Sequence, residues 1–262
     1  MLCRSCRMTT HLPDLSDPAN VVRWGRLEEA KRRLLYDFQI VGYPDERLEA
    51  DPPLTFKFLA DTAEESVVTG HSNGVITINL SEADPVQREI TRQEFFEPQR
   101  TLIGHMRHES GHFFWMREVE GKLEEQSREV FGDHNSPTYA EAMPAYYEQG
   151  PPNDWQERHI SRYAASHAWE DFAETFAFYL DMRSVLDTLA AHPLTAYAPI
   201  NTGGLNEMLD SYQRAGLTLN EVNRSMGLTD LLPEIISPLV MKKLMMIHDL
   251  FEAAHRSGKV GS

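Results

Sequence analysis

The run His108-Glu109-Ser110-Gly111-His112 constrains this chain more than any other stretch. If it is helical, His108 and His112 stand one turn apart on one face, so both imidazoles can reach a single metal ion while Glu109 points beside it. The flanks favour a helix. Leu102, Ile103, Met106 and the cluster Phe113-Phe114-Trp115 recur at roughly helical spacing, and Pro98 suits a first helical turn. In a chain with 11 histidines the pattern can also arise by chance, and the bland reading is two surface histidines on an amphipathic helix. A metal centre needs a third ligand, which this stretch does not contain.

Composition bounds the rest. A chain of 262 residues, 41% hydrophobic and 10% aromatic, can bury the core of one large domain or two small ones. Its formal net charge of -15 repels phosphate backbones and anionic lipid surfaces, which argues against nucleic acid or a membrane as the main partner. No apolar run approaches the ~18 residues that span a bilayer, and the first residues lack the apolar core of a signal peptide. The expected location is therefore the cytoplasm. Cys3 and Cys6 are the only cysteines and form a Cys-x-x-Cys knuckle. In a reducing compartment such a pair is half of a zinc site, which His11 could extend, or else two free thiols at a frayed end.

Read in order, Asp17-Pro18 caps and starts a helix over residues 18–41, with Trp24, Leu27, Leu34, Leu35 and Phe38 near helical spacing until Gly42 and Pro44. Three extended segments follow: residues 54–59, 67–69 and 75–80, the last two joined by the turn signal Asn73-Gly74. They predict a small antiparallel sheet just upstream of the motif helix, with residues 75–80 as a candidate edge strand that could pair with an extended peptide or as an ordinary buried strand. Asp84-Pro85 starts a short helix, and Pro98 starts the motif helix, which ends near Gly121. Residues 132–152 are turn-rich and aromatic and read as a segment wrapping over a cleft. Beyond residue 166 the pattern is helical, with a last helix from Ser237-Pro238 whose Met241, Met245 and Met246 read as core filler. The expected fold is α+β and predominantly α-helical. Residues 1–16 form the knuckle and residues 17–262 one domain, helical from about 200.

The third ligand must come from elsewhere. Glu118 occupies the position where one class of zinc enzymes carries a third histidine, so that pattern is absent. The candidate lies in Ser166-His167-Ala168-Trp169-Glu170-Asp171-Phe172-Ala173-Glu174-Thr175-Phe176-Ala177, where Glu170 and Glu174 are one helical turn apart. One carboxylate of such a pair can bind a metal while the other accepts the free ring N–H of a ligating histidine. Their alternative is a solvated acidic stripe. His105, one turn before His108, is the reserve ligand; His134, His159 and His167 read as surface or supporting groups.

The two motifs together resemble the gluzincin-type metallopeptidases. Tyr163, seven residues before Glu170, resembles the tyrosine that precedes the ligand glutamate in the anthrax-lethal-factor-like branch. More closely, Leu2-Cys3-Arg4-Ser5-Cys6-Arg7, Pro13-Asp14-Leu15, Arg32-Arg33-Leu34-Leu35-Tyr36 and the run from Trp169 to Phe176 resemble bacterial zinc-binding metallopeptidases that carry an N-terminal zinc ribbon. That ribbon has two cysteine pairs, of which only Cys3 and Cys6 are present here. The resemblance implies a zincin-like catalytic domain with Zn2+ held by His108, His112 and Glu170, Glu109 as general base and Glu174 behind a ligand. It implies a peptide or protein substrate. Tyr163 reads either as a hydrogen-bond donor to the developing oxyanion or as a phenol packed under the cleft. The second class of function is a non-catalytic zinc protein acting through its N-terminal knuckle. Glu109 separates the two, because a purely structural site has no use for a carboxylate beside the metal.

Overall fold

The computed structural model describes residues 2–62, 64, 66–85, 101–192 and 203–259. They divide into two compact units, Met1–Glu124 with Ala254–Ser262, and Glu125–Ala253. Among them the fold is α+β and predominantly helical, as the periodicities imply, and no helix is long and apolar enough to cross a membrane.

The first unit opens with a short helix α1 (Arg4–Arg7) and strand β1 (Thr9–His11). Helix α2 (Pro18–Ile40) follows with the expected cap, the Asp17 carboxylate accepting the Ala19 N–H at 2.8 Å and Pro18 in the first turn. After α3 (Asp45–Glu49) come β2 (Thr55–Leu59), β3 (Gly70–Ser72) and β4 (Val75–Asn79), in the sheet order β1-β2-β4-β3. Only β3 and β4 are antiparallel; β2 runs parallel to both β1 and β4, which corrects the expected antiparallel sheet. The Asn73-Gly74 turn does build the local hairpin, both residues having positive φ (45° and 84°). Residues 60–74, however, make a connection long enough for a parallel return, so β4 docks beside β2 in that sense. This puts β4 in the sheet interior and rules out residues 75–80 as the edge strand. The third strand also shifts, from residues 67–69 to Gly70–Ser72, because side chains take the earlier backbone groups. The Asp61 carboxylate accepts the Val67 N–H (2.6 Å), and Asn79 donates from its side-chain amide to the Val67 carbonyl (2.9 Å) and from its backbone N–H to Thr69 Oγ1 (3.1 Å).

The buried face of the sheet carries Phe56, Phe58, Ile76 and Ile78. Helix α4 (Leu102–Phe114) holds the motif and packs on α2, with Phe114 ring centroids 5.3 Å from Phe38 and 4.5 Å from Tyr43. Each such ring removed from water contributes about 1.5–3 kcal/mol. Thr101 caps α4, its Oγ1 accepting the Gly104 N–H at 3.0 Å; Pro98, the expected start, lies outside the described residues, as does most of the helix expected after Asp84-Pro85. A π-helical turn (Trp115–Val119) ends the segment just before Gly121, whose φ is +67°.

The second unit holds α5 (Glu124–Phe131), α6 (Tyr139–Gln149), α7 (Trp155–Arg158), a 3-10 turn (Tyr163–Ser166), α8 (Ala168–Ala191), α9 (Leu205–Ser225) and most of α10 (Pro238–Lys259). Helix α6 corrects the expectation of an irregular segment over residues 132–152. Its signal is the capping box Thr138-x-x-Glu141, in which the Thr138 N–H and hydroxyl donate to the Glu141 carboxylate at 2.9 and 2.7 Å. The helix runs through Pro144, which read as a breaker. Phe172, Phe176, Tyr179 and Phe251 form the core of this unit, Tyr179 stacked on Phe251 at 5.5 Å. On α10 the buried apolar residues are Val240, Leu244, Ile247, Leu250, Phe251 and Ala254, while Met241 and Met246 are half-buried and Met245 is exposed, so the methionines are not the main filler of this core. Buried Asn220 fixes the segment after α9 by accepting the N–H groups of Leu231 and Leu232 and donating to the Leu232 carbonyl.

Candidate metal centre

Within α4, His108 and His112 stand one turn apart as the motif requires. Their Nε2 atoms are 3.1 Å apart and their rings nearly perpendicular, with centroids at 4.8 Å. Two nitrogens about 2.0–2.1 Å from a tetrahedral zinc lie about 3.3 Å from each other, so this spacing suits two lone pairs converging on one cation. His112 is buried, and so is Glu109, whose Oε2 has no hydrogen-bond partner among the described residues. Leaving a buried carboxylate oxygen unsatisfied costs free energy, and the usual compensation is a bound water or ion.

Two further contacts hold α4 in place. Arg107 donates from Nε to Asp37 of α2 at 2.9 Å, both side chains being buried. His105 pairs with Glu82, which also accepts the Thr69 hydroxyl at 2.5 Å. The reserve ligand is thus already engaged by a carboxylate on the turn after β4. His71 on β3 was not singled out by the sequence. Its Nε2 accepts the Gly74 N–H at 3.1 Å, and burial, followed by the proximity of His112, pushes its pKa down to about 4, so it is neutral at physiological pH.

In the second unit, Glu170 is 2% exposed in the first turn of α8. His167 caps that helix: its Nδ1 accepts the Trp169 N–H at 3.2 Å, and its other ring nitrogen lies 3.1 Å from the His134 carbonyl and 3.3 Å from that of Pro137. The cap therefore selects the tautomer that carries its proton on Nε2. Glu174 accepts the Ser161 hydroxyl at 2.6 Å, and Ser161 Oγ in turn accepts the Ala164 N–H at 3.0 Å. The pair fixes the 3-10 turn that carries Tyr163. Tyr163 packs edge-on against Tyr146 at 6.1 Å. Burial, then the charge of Glu170, lifts the phenols of Tyr139 and Tyr163 well above the ordinary tyrosine range, so each stays an O–H donor.

His108 and His112 of the first unit and Glu170 of the second make up the group to which the sequence assigns a metal. Two imidazoles and a carboxylate are the donor set of catalytic zinc with an open fourth position, so the residues fit that metal. Cys3 and Cys6 lie outside this group. Their sulfurs are 3.3 Å apart, the Cys3 thiol being lowered chiefly by the Cys6 backbone N–H and the Cys6 thiol raised by its hydrogen bond with Cys3. His11, the possible extension of the knuckle, has a ring nitrogen 3.1 Å from the Thr10 hydroxyl.

Residues 20–250 match the protein family described as "Putative zinc-binding metallo-peptidase". The chain belongs to that family. The match starts after the knuckle and includes both motifs. The chain is also 40% identical over 271 residues to uncharacterized proteins of Mycobacterium bovis and Mycobacterium tuberculosis, an alignment covering 97% of this chain and 79% of each relative. No solved structure matches it.

Proposed function

We propose that this chain is a zinc-dependent peptidase or closely related amide hydrolase, with His108, His112 and Glu170 as metal ligands and Glu109 as general base. The observation that carries the reading is the approach of the two imidazole Nε2 atoms to 3.1 Å, with the partnerless Glu109 oxygen next to His108 in the chain. Zinc bound there would supply a Lewis acid able to make water acidic near pH 7.

The chain's own groups account for the proton movements. Glu109 takes a proton from the attacking water as its oxygen bonds to the carbonyl carbon, then delivers it to the leaving nitrogen as the C–N bond breaks. A carboxylate with a buried, unshared oxygen is suited to that shuttle, since no internal donor competes for it. The Tyr163 O–H is the donor for the oxygen that gains charge, and the Glu174–Ser161 bond holds the turn on which it sits. A peptide or protein substrate follows from the family and the chemistry. A purely structural metal site leaves Glu109 without a role.

The test is bound-metal analysis of the wild type beside His112→Ala and Glu109→Gln, followed by digestion of a broad peptide library. The expected results are one tightly bound zinc, lost in the first variant and retained in the second, and chelator-sensitive cleavage that disappears with Glu109→Gln. Stoichiometric zinc in His112→Ala would refute the ligand assignment. Undiminished cleavage by Glu109→Gln would remove the base.

A further inference from the structure

Glu82 lies on a 3-10 turn (Leu80–Ala83) that is fixed from two sides: the Asn79 side chain accepts the Ser81 N–H at 2.9 Å, and Arg26 of α2 donates to the Ala83 carbonyl at 2.9 Å. Its two carboxylate oxygens have separate partners. Oε1 accepts the Thr69 hydroxyl at 2.5 Å, and Thr69 Oγ1 in turn accepts the Asn79 N–H at 3.1 Å. Oε2 meets Nδ1 of His105, one turn before His108 on α4. The hydrolytic steps above use neither Glu82 nor His105.

These contacts decide what the His105 ring offers. A carboxylate only accepts, so a neutral His105 carries its proton on Nδ1 and a lone pair on Nε2. Nε2 has no hydrogen-bond partner among the described residues, and the side chain is 21% exposed, so an incoming group can reach it. At 3.6 residues per turn, His105 lies about 20° around the α4 axis from His112, about 40° from Glu109 and about 60° from His108. All four side chains therefore share one face of the helix.

We propose that His105 is a substrate-binding residue whose Nε2 accepts a backbone N–H of the bound peptide, and that Glu82 is the positioning residue that keeps this nitrogen an acceptor. The proposal rests on the peptidase reading. An extended peptide presents an N–H at every residue except proline, so an acceptor fixed on the metal-binding face holds the main chain whatever its side chains are. The contact lies away from the scissile bond and is made equally in the bound substrate and in the transition state. It therefore enters KM and not kcat.

The test uses the zinc-loaded full chain at about pH 8, where an ordinary imidazole is neutral, and a peptide recovered from the library digest. Each of its peptide nitrogens except the scissile one is replaced in turn by an ester oxygen. One position is expected to raise the wild-type KM about 3- to 10-fold, the worth of one hydrogen bond. His105→Phe should raise KM of the all-amide peptide by the same factor, keep kcat within about twofold, retain zinc, and no longer distinguish that ester from the amide. Glu82→Gln should do the same with His105 intact. The Thr69 hydroxyl still needs an acceptor and holds the amide oxygen, so the amide NH2 faces Nδ1 and the ring proton moves to Nε2. Wild-type cleavage with no sensitive ester position overturns the proposal and leaves the peptidase reading standing. So does an unchanged KM in either variant, or an ester effect that persists in His105→Phe. Loss of zinc in His105→Phe makes the residue a ligand and also overturns it. A wild type that cleaves nothing overturns both readings.

Discussion

Removing the carboxylate of Asp37 should destabilise the first unit by about 3–5 kcal/mol, the usual cost of breaking a buried pair from one side. Asp37 and Arg107 meet at 2.9 Å with side chains 2% and 7% exposed, one on α2 and the other next to His108 on the motif helix. At that separation and an effective dielectric near 20, the two charges attract by roughly 6 kcal/mol, most of which offsets the desolvation of both. Asp37→Ala leaves the desolvation of the guanidinium in place and removes its carboxylate. With a urea slope of about 3 kcal/mol/M for a protein of this size, the midpoint followed by tryptophan fluorescence on metal-free protein should fall by about 1–2 M. Asp37→Leu/Arg107→Met, which removes both charges and keeps the volume, should recover most of the loss, because the desolvation then disappears as well. It should also retain zinc binding, since the spacing of His108 and His112 is set within one helix. A loss below 1 kcal/mol in Asp37→Ala, or a double variant as unstable as the sum of its single changes, refutes the reasoning.

Other outcomes follow from single features. Thr101→Ala removes the cap of α4 and should cost about 1 kcal/mol, read as a lower thermal midpoint. Gly74→Ala should destabilise by more than about 1 kcal/mol, because φ is +84° and an added Cβ would lie 2.6 Å from the Pro53 carbonyl oxygen; an unchanged midpoint would show that the turn can move aside. His71 and His248 are held neutral, burial being the first cause for each. Between about pH 6.5, where an unfolded histidine titrates, and pH 4, the value to which His71 is depressed, the unfolded chain binds protons that the folded chain does not. Stability of the metal-free protein should therefore be fully present above pH 6.5 and fall with pH across that window, and His71→Asn should flatten the slope seen in urea titrations at successive pH values.

The parts of the fold that were legible were those set by short-range chemistry. The Asp17-Pro18 cap and the Asn73-Gly74 hairpin turn follow from residues within four positions of each other, and both appear where the sequence puts them. Strand direction was not legible, because it depends on how residues 60–74 return and not on any alternation within the strands. The shift of β3 has the same origin: Asp61, Asn79 and Thr69 are too far apart in sequence to be paired by eye, yet their side chains take the backbone groups that would otherwise have joined the ladder. Helix α6 was hidden differently. Its capping box is a local signal set against the breaker Pro144, yet a helix fixed at its start can continue through one proline.

The candidate site divides along the same line. The helical period alone predicts the His108–His112 spacing, and any helix built through residues 102–114 would deliver it. Glu170 and Glu174 share a face for the same reason, but what each carboxylate meets is not a matter of period. Ser161 reaches Glu174 because the 3-10 turn folds back, and Tyr139 packs beside the start of α8 because His167 spends one ring nitrogen on that start and the other on the loop before α6. A histidine with both nitrogens committed to backbone groups cannot also bind a metal, so the same hydrogen bonds that make His167 a strut remove it from the list of ligands. His105 differs, since only its Nδ1 is taken, by Glu82, and a carboxylate there is compatible with a ligating imidazole. What removes His167 from the candidate ligands is therefore the pair of backbone partners it has already taken, and those partners lie outside the reach of any sequence pattern.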